Sequence, residues 1–144
     1  VAKTEETATS KIDKKTAEED FGRFAAAWEL DTNVDGMNAD DRESFEQQKA
    51  KIVKAIMIGR ASINDKGDVV YALKDPLPGA EELTLRMPSG DAYMEMDRFK
   101  DQQSVRKLMA VMGYMTGKPV KTFSGMSGID LKLCMAVTSL FLAS

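Results

Sequence analysis

Tyr71–Met96 reads YALKDPLPGAEELTLRMPSGDAYMEM, and its punctuation decides the fold. Asp75-Pro76-Leu77-Pro78-Gly79 reads as a rigid loop, because two prolines fix φ and remove backbone donors while Gly79 supplies a turn conformation. Leu83, Leu85 and Met87 alternate with Thr84 and Arg86, the period-two pattern of a strand with one face buried. Pro88 ends that strand. Ser89 or Gly90 opens a helix through about Lys100, with Ala92, Met96 and Phe99 on one stripe. The stretch carries no His and no Cys, and no set of side chains that does covalent chemistry.

Upstream, Ala61–Leu73 reads as a β-hairpin. Ser62-Ile63-Asn64 leads into Asp65-Lys66-Gly67-Asp68, and Val69-Val70-Tyr71 leads out, with Gly67 at a position that needs φ > 0. The hairpin and the alternating strand give about three antiparallel strands, near the minimum for a stable sheet unless helices cover it. Helices are available. Asn38 reads as an N-cap with Asp40 and Asp41 in the first turn, where acids favour the helix dipole; the helix runs from about Ala39 to Ile58 and stops at Gly59. Phe45, Ile52 and Ile56 share its buried face, with Val53 beside it. Phe21, Phe24, Ala25 and Trp28 fall at i, i+3, i+4 and i+7 of a shorter helix over Phe21–Leu30, either a core face or an exposed aromatic anchor.

Downstream, Ser104–Met115 carries the apolar seam Val105, Leu108, Met109 and Met112, and Gly117-Lys118-Pro119 breaks it. Ser127 or Gly128 caps a last helix to about Ala143. Ile129, Leu133, Ala136, Val137 and Leu140 form one face of it, and Leu131, Met135 and Leu142 make it apolar nearly all round, so it is buried in its own protein or in a partner. The fold class is therefore α+β: a small antiparallel sheet of about three strands packed by several helices. Residues 1–20, almost free of large apolar groups apart from Ile12, read as a flexible tail; 21–60 as an N-terminal helical segment; and 61–144 as the α+β domain.

Composition excludes several functions. With no His and a single Cys, neither a Ser-His-Asp nor a Cys-His nucleophile can be built in the usual way, and a zinc site of His/Cys type lacks ligands. The lone Cys134 forms no intramolecular disulfide and sits in an apolar helical run, where it reads as a small buried hydrophobe. A net charge of −3 argues against a nucleic-acid footprint. That charge is uneven: residues 1–60 hold 10 basic and 13 acidic groups, and residues 61–144 hold 10 of each. No apolar run is long enough to span a membrane, and the N-terminal stretch has no signal-peptide core.

Three strings resemble sites and fall short. Asp31-Thr32-Asn33-Val34-Asp35-Gly36 matches the opening of an EF-hand calcium loop, but the position of the bidentate Glu is Arg42. Gly113-Tyr114-Met115-Thr116-Gly117-Lys118 lacks the spacing of a phosphate loop, and Pro119 stands where Mg²⁺ needs a hydroxyl. Gly125-Met126-Ser127-Gly128 lacks the last Gly of a nucleophile elbow and any His base. Catalytic residues, cofactor and metal ligands are thus none, and the chain reads as a non-enzyme. Of ten methionines, Met87, Met94, Met96, Met109, Met112, Met115, Met126 and Met135 crowd the C-terminal half, as a Met-rich core or as an adaptable binding groove.

Glu81-Glu82-Leu83-Thr84-Leu85-Arg86-Met87-Pro88-Ser89-Gly90-Asp91 resembles a signature of the tail assembly chaperones of tailed bacteriophages and prophages. The resemblance extends from about Ala72 to Leu142: the strand Glu82–Pro88, the helix start Ser89–Asp91, the helix Ser104–Met115, and the apolar helix Ile129–Leu142 ending in Phe141-Leu142. Asp31–Arg60 also resembles N-terminal parts of some prophage proteins. What this resemblance implies is a non-enzymatic chaperone in the cytoplasm of an infected or lysogenic bacterial host. Its partners would be the helical tape-measure protein and the tail-tube protein, with homo-oligomers possible and neither nucleic acid nor membrane involved. Leu108, Met112, Leu133, Met135, Leu140 and Phe141 are the candidate partner-binding residues. The alternative is a structural component of a phage tail, tube or baseplate.

Overall fold

A computed structural model describes residues 12–97 and 104–143. Among them lie six helices and one three-stranded antiparallel sheet: α1 (Lys14–Ala27), α2 (Ala39–Met57), β1 (Ala61–Ile63), β2 (Val69–Leu77), β3 (Ala80–Leu85), α3 (Gly90–Met96), α4 (Ser104–Thr116), α5 (Val120–Ser124) and α6 (Gly128–Ala143).

The sheet order is β1-β2-β3, with Ile63 opposite Val69 and Tyr71 opposite Leu83. Alternation assigns its faces. Ala61, Ile63, Val69, Tyr71, Leu73, Leu83 and Leu85 are buried under the helices, while Ser62, Ala72, Lys74, Glu82 and Arg86 face solvent. Gly67 takes φ +84° in the β1–β2 turn. Asn64 shapes that turn as an Asx motif, its Oδ1 accepting from the backbone N–H of Lys66 and Asp68 at 3.0 Å each. The Arg23 guanidinium donates to the carbonyls of Ile63 and Asn64, and Trp28 Nε1 donates to Asp68 at 3.2 Å, so α1 is tied to the hairpin.

Several expectations are corrected. The first helix begins at Lys14, not Phe21. Asp13 caps it by accepting from Thr16 N at 2.7 Å, and Ala17 is fully buried, so residues 14–20 belong to the folded body; residues 1–11 of the expected tail lie outside the described residues. Phe21, Phe24, Ala25 and Trp28 all face the core. The expected loop over 75–79 is shorter: β2 runs to Leu77 and turns at Pro78-Gly79. The ladder is irregular there, with five steps on β2 from Ala72 to Leu77 set against two on β3 from Glu82 to Ala80. The β3 strand ends at Leu85, which leaves Met87 exposed. The helix after Pro88 runs over Gly90–Met96, and Phe99 lies outside the described residues. A short helix, α5, fills the break between α4 and α6, where none is expected from the sequence. Val105 and Ile129, read as members of the apolar faces of their helices, are half exposed.

One buried cluster runs from Ala17 in α1 to Leu140 in α6. Phe24, Ile52, Ile56, Val69, Tyr71, Leu85, Met112, Met115, Phe123 and Val137 are all under 2 % exposed and belong to one cluster. Ring contacts carry it from α1 to α6: Trp28 packs tilted on Phe24 at 4.8 Å and edge-to-face on Phe141 at 5.8 Å.

Candidate interaction surface

Every exposed large apolar side chain among the described residues lies at or after Met87: Met87, Tyr93, Met94, Val105, Tyr114, Val120 and Ile129. Met94 is the extreme, 71 % exposed on the outer face of α3. The helices α3 and α4 pack together, with Tyr114 Oη donating to Glu95 Oε2 at 3.3 Å, and α5 closes back on α4. Between them runs an open groove of about 650 Å³ lined by Ala110, Gly113, Tyr114, Gly117, Pro119 and Val120, with Glu95 and Lys118 at its edges. Local sequence explains the shape. Gly117 follows α4 at φ +71°, Pro119 precedes α5, and a Cβ on Gly113 would sit 3.1 Å from the Lys118 carbonyl, a tight contact that glycine avoids. Lys118 Nζ donates to the Gly79 carbonyl at 3.2 Å and anchors the turn to the sheet.

The six candidate partner-binding residues separate into two groups. Met112, Leu133 and Leu140 are core residues, at most 4 % exposed, and are not available to a partner in this conformation. Leu108, Met135 and Phe141 are half-buried. Phe141 stacks with Tyr93 at 5.7 Å, which links the tip of α6 to the α3 surface. The methionines divide in the same way: Met112, Met115 and Met126 are core, Met96, Met109 and Met135 intermediate, Met87 and Met94 exposed. The candidate residues come from the apolar stripes of α4 and α6, and half of them lie in the core. The exposed large apolar residues sit on α3 (Tyr93, Met94), α4 (Val105, Tyr114), α5 (Val120) and the start of α6 (Ile129), with Met87 just before α3.

A second constellation lies inside the fold. Asp130, fully buried on α6, accepts from Tyr71 Oη at 2.6 Å, Lys74 N at 2.8 Å, Asp75 N at 3.1 Å and Ser127 Oγ at 3.0 Å, while its own N–H donates back to Ser127 Oγ at 3.2 Å. Lys74 and Asp75 lie in the irregular stretch of β2, so the carboxylate takes up backbone donors where the ladder breaks. Burial works to raise the Asp130 carboxyl, and the hydrogen bonds from Tyr71, Lys74, Asp75 and Ser127 outweigh it and hold the group below its ordinary 3.8. Burial, then the hydrogen bond and charge of Asp130, push the Tyr71 phenol well above its usual range. Burial and the same charge push the Cys134 thiol up to about 12, so it is not a reactive thiolate. With every Asp130 partner structural and the group shut off from solvent, this is a clamp between α6 and the sheet. Sequence reading missed it; the available signal was a lone acid on an apolar helix three residues after an N-cap Ser.

The calcium-like string folds as a short 3₁₀ turn, Val34–Gly36. Arg42 reaches back over it, Nε and Nη2 donating to the Val34 carbonyl at 3.0 and 2.8 Å and Nη2 lying 3.5 Å from Asp35 Oδ1. A fixed cation thus stands against the would-be ligands. Among the described residues no group of three or more His, Cys, Asp or Glu side chains could hold a metal ion, and no helix is long and apolar enough to cross a membrane. Comparison with protein-family models, curated proteins and solved structures gives no match to this chain.

Proposed function

We propose that this protein is a non-enzymatic assembly chaperone of a phage tail, which holds the helical tape-measure protein in the cytoplasm of the bacterial host and hands it to the tail-tube protein. The observation that carries this reading is that, among the described residues, the exposed large apolar side chains are confined to Met87 and beyond, on α3, α4, α5 and the start of α6. That is the part of the chain whose Glu81–Asp91 stretch resembles the chaperone family. A holdase needs such a surface: apolar enough to cover one face of a partner helix, and adaptable enough to release it. Tyr and Met suit both demands, since they are enriched at interfaces and Met repacks without a fixed shape. The small residues Ala110, Gly113 and Gly117 let a helix backbone approach the groove closely.

The test is light scattering of the protein with a co-expressed helical tape-measure segment. The expected result is a co-eluting complex, and a Met94→Glu/Val120→Glu variant, which touches only exposed positions, weakens it at least about tenfold. A protein that ignores the segment, or a complex indifferent to the double substitution, refutes the reading. Mass spectrometry of purified virions separates it from a structural tail, tube or baseplate component, since a chaperone is absent from the mature particle.

A further inference from the structure

A second cleft, of about 390 Å³, lies between α2 and α6, with Arg60 and Tyr71 also in its lining. Helical geometry builds it. Lys51 and Lys54 stand one turn apart on α2, and Ile129, Lys132 and Leu133 occupy i, i+3 and i+4 on α6. Four cations therefore line one small cleft in a chain of net charge −3, and no carboxylate lines it with them. Lys51, Lys54 and Lys132 are exposed, and none of the four cations forms a salt bridge among the described residues. The helix dipole accounts for Lys54, in the last turn of α2, but not for Lys132, which sits just past the N-terminal turn of α6 where a cation gains nothing. None of the four cations hydrogen-bonds the Asp130 carboxylate, whose partners are Tyr71 Oη, the backbone N–H of Lys74 and Asp75, and Ser127 Oγ. The cleft is not purely ionic: Leu133 lies at its base and Ile129 is half exposed at its rim.

We infer that this cleft is a docking site for a short acidic, apolar-anchored peptide segment of a partner protein. Charge complementarity selects an anion, and the apolar base selects one that also brings a Leu- or Phe-like side chain. The surroundings disfavour an extended polyanion such as nucleic acid. On the side of α2 that lines the cleft, the next acidic groups are Asp41 and Asp40, about 15–16 Å from Lys51 along the axis, so a chain of phosphates running along α2 meets repulsion there. A short segment confined to the cleft avoids it. This cleft shares no lining residue with the groove beside α4 and α5, Ile129 being the one exposed apolar residue counted on both surfaces, and its test does not depend on the function proposed above.

The test is fluorescence anisotropy of the full chain with two labelled amphipathic peptides of the same Leu pattern, one carrying Glu and the other Lys at the polar positions. The Glu peptide is expected to bind at least about tenfold more tightly than the Lys peptide, and to be released near 1 M salt, where the screening length is about 3 Å. Lys51→Glu/Lys132→Glu, both exposed and remote from the core, is expected to lower Glu-peptide affinity about tenfold or more with an unchanged melting curve. Met94→Glu/Val120→Glu is expected to leave it intact, so the two surfaces fail or succeed separately. Equal binding of both peptides, or indifference to the Lys reversals, overturns the inference. Equal competition by a single-stranded oligonucleotide overturns it in favour of a general polyanion site. A change of mass on light scattering of the Lys51→Glu/Lys132→Glu chain alone overturns it in favour of a second copy as occupant.

Discussion

Asp130 shows how one side chain fixes the relation of two elements. Its four donors come from β2 and the N-cap of α6, and no donor is left over: among the described residues no buried side-chain polar atom lacks a partner. Replacing it with Asn keeps the shape but removes the charge and turns one acceptor into a donor facing a donor. Asp130→Asn is expected to cost about 3 kcal/mol at pH 7, read as the shift in urea midpoint. The pH dependence has a definite sign. The folded-state pKa lies below the unfolded value, so the charge stabilises fully above about pH 4 and its contribution disappears as pH falls through the folded pKa. The gap between wild type and Asp130→Asn is therefore expected to be constant near neutrality and to shrink below about pH 4. A gap that stays level into strong acid contradicts the clamp.

At the scale of elements, two glycines with positive φ separate conformation from packing. Gly67 (φ +84°) is buried under α1, and a Cβ there would fall 2.2 Å from the Ala27 Cβ. Gly79 (φ +75°) turns β2 into β3 with nothing within 4 Å of the same atom. Gly79→Ala is expected to cost about 1–2 kcal/mol, the left-handed penalty alone. Gly67→Ala adds overpacking and is expected to cost about 2–4 kcal/mol, with a change in Trp28 fluorescence because α1 must lift from the hairpin. Thermal melts of the two variants, followed by circular dichroism and by tryptophan emission, check both. Similar costs for the pair would mean that α1 yields freely to the added methyl.

For the whole molecule, the question is whether 21–60 and 61–144 stand alone. The buried cluster joins Phe21, Phe24, Ile52 and Ile56 from the first segment to Tyr71, Leu85, Met112 and Val137 from the second. The helices α2 and α6 lie against each other, and both α1 and α2 cover β1. Cutting at residue 61 uncovers that side of the core, each fully buried large side chain representing about 1.5–3 kcal/mol of lost burial. That exceeds the margin on which a domain of this size stands, about 5–15 kcal/mol. A fragment of residues 61–144 is expected to show no cooperative melt, whereas residues 12–144 melt in one transition; calorimetry distinguishes them. A cooperative transition in the shorter fragment would establish two folding units.

Local rules are what the sequence alone determined. Asn38 caps α2, Gly59 and Gly67 take positive φ, Ser127 caps α6, and the alternation of Leu83 and Leu85 sets the sheet face; each depends only on near neighbours. The three-stranded sheet and most helices follow from such signals. Tertiary contact decided the rest. A polar run such as Lys14–Asp20 has no apolar pattern to announce a helix, yet it forms one because Asp13 caps it and Phe21 and Phe24 dock downstream. Which stripe of a helix that is apolar all round meets the core is equally invisible along the chain, so Met112, Leu133 and Leu140 went inside while Val105 and Ile129 stayed out. The Asp130 clamp joins residues more than fifty positions apart, and the basic cleft joins Lys51 to Lys132, pairings that exist only once α6 lies between α2 and the sheet. Periodicity measures one helix against itself; burial and charge clustering depend on where other elements come to rest.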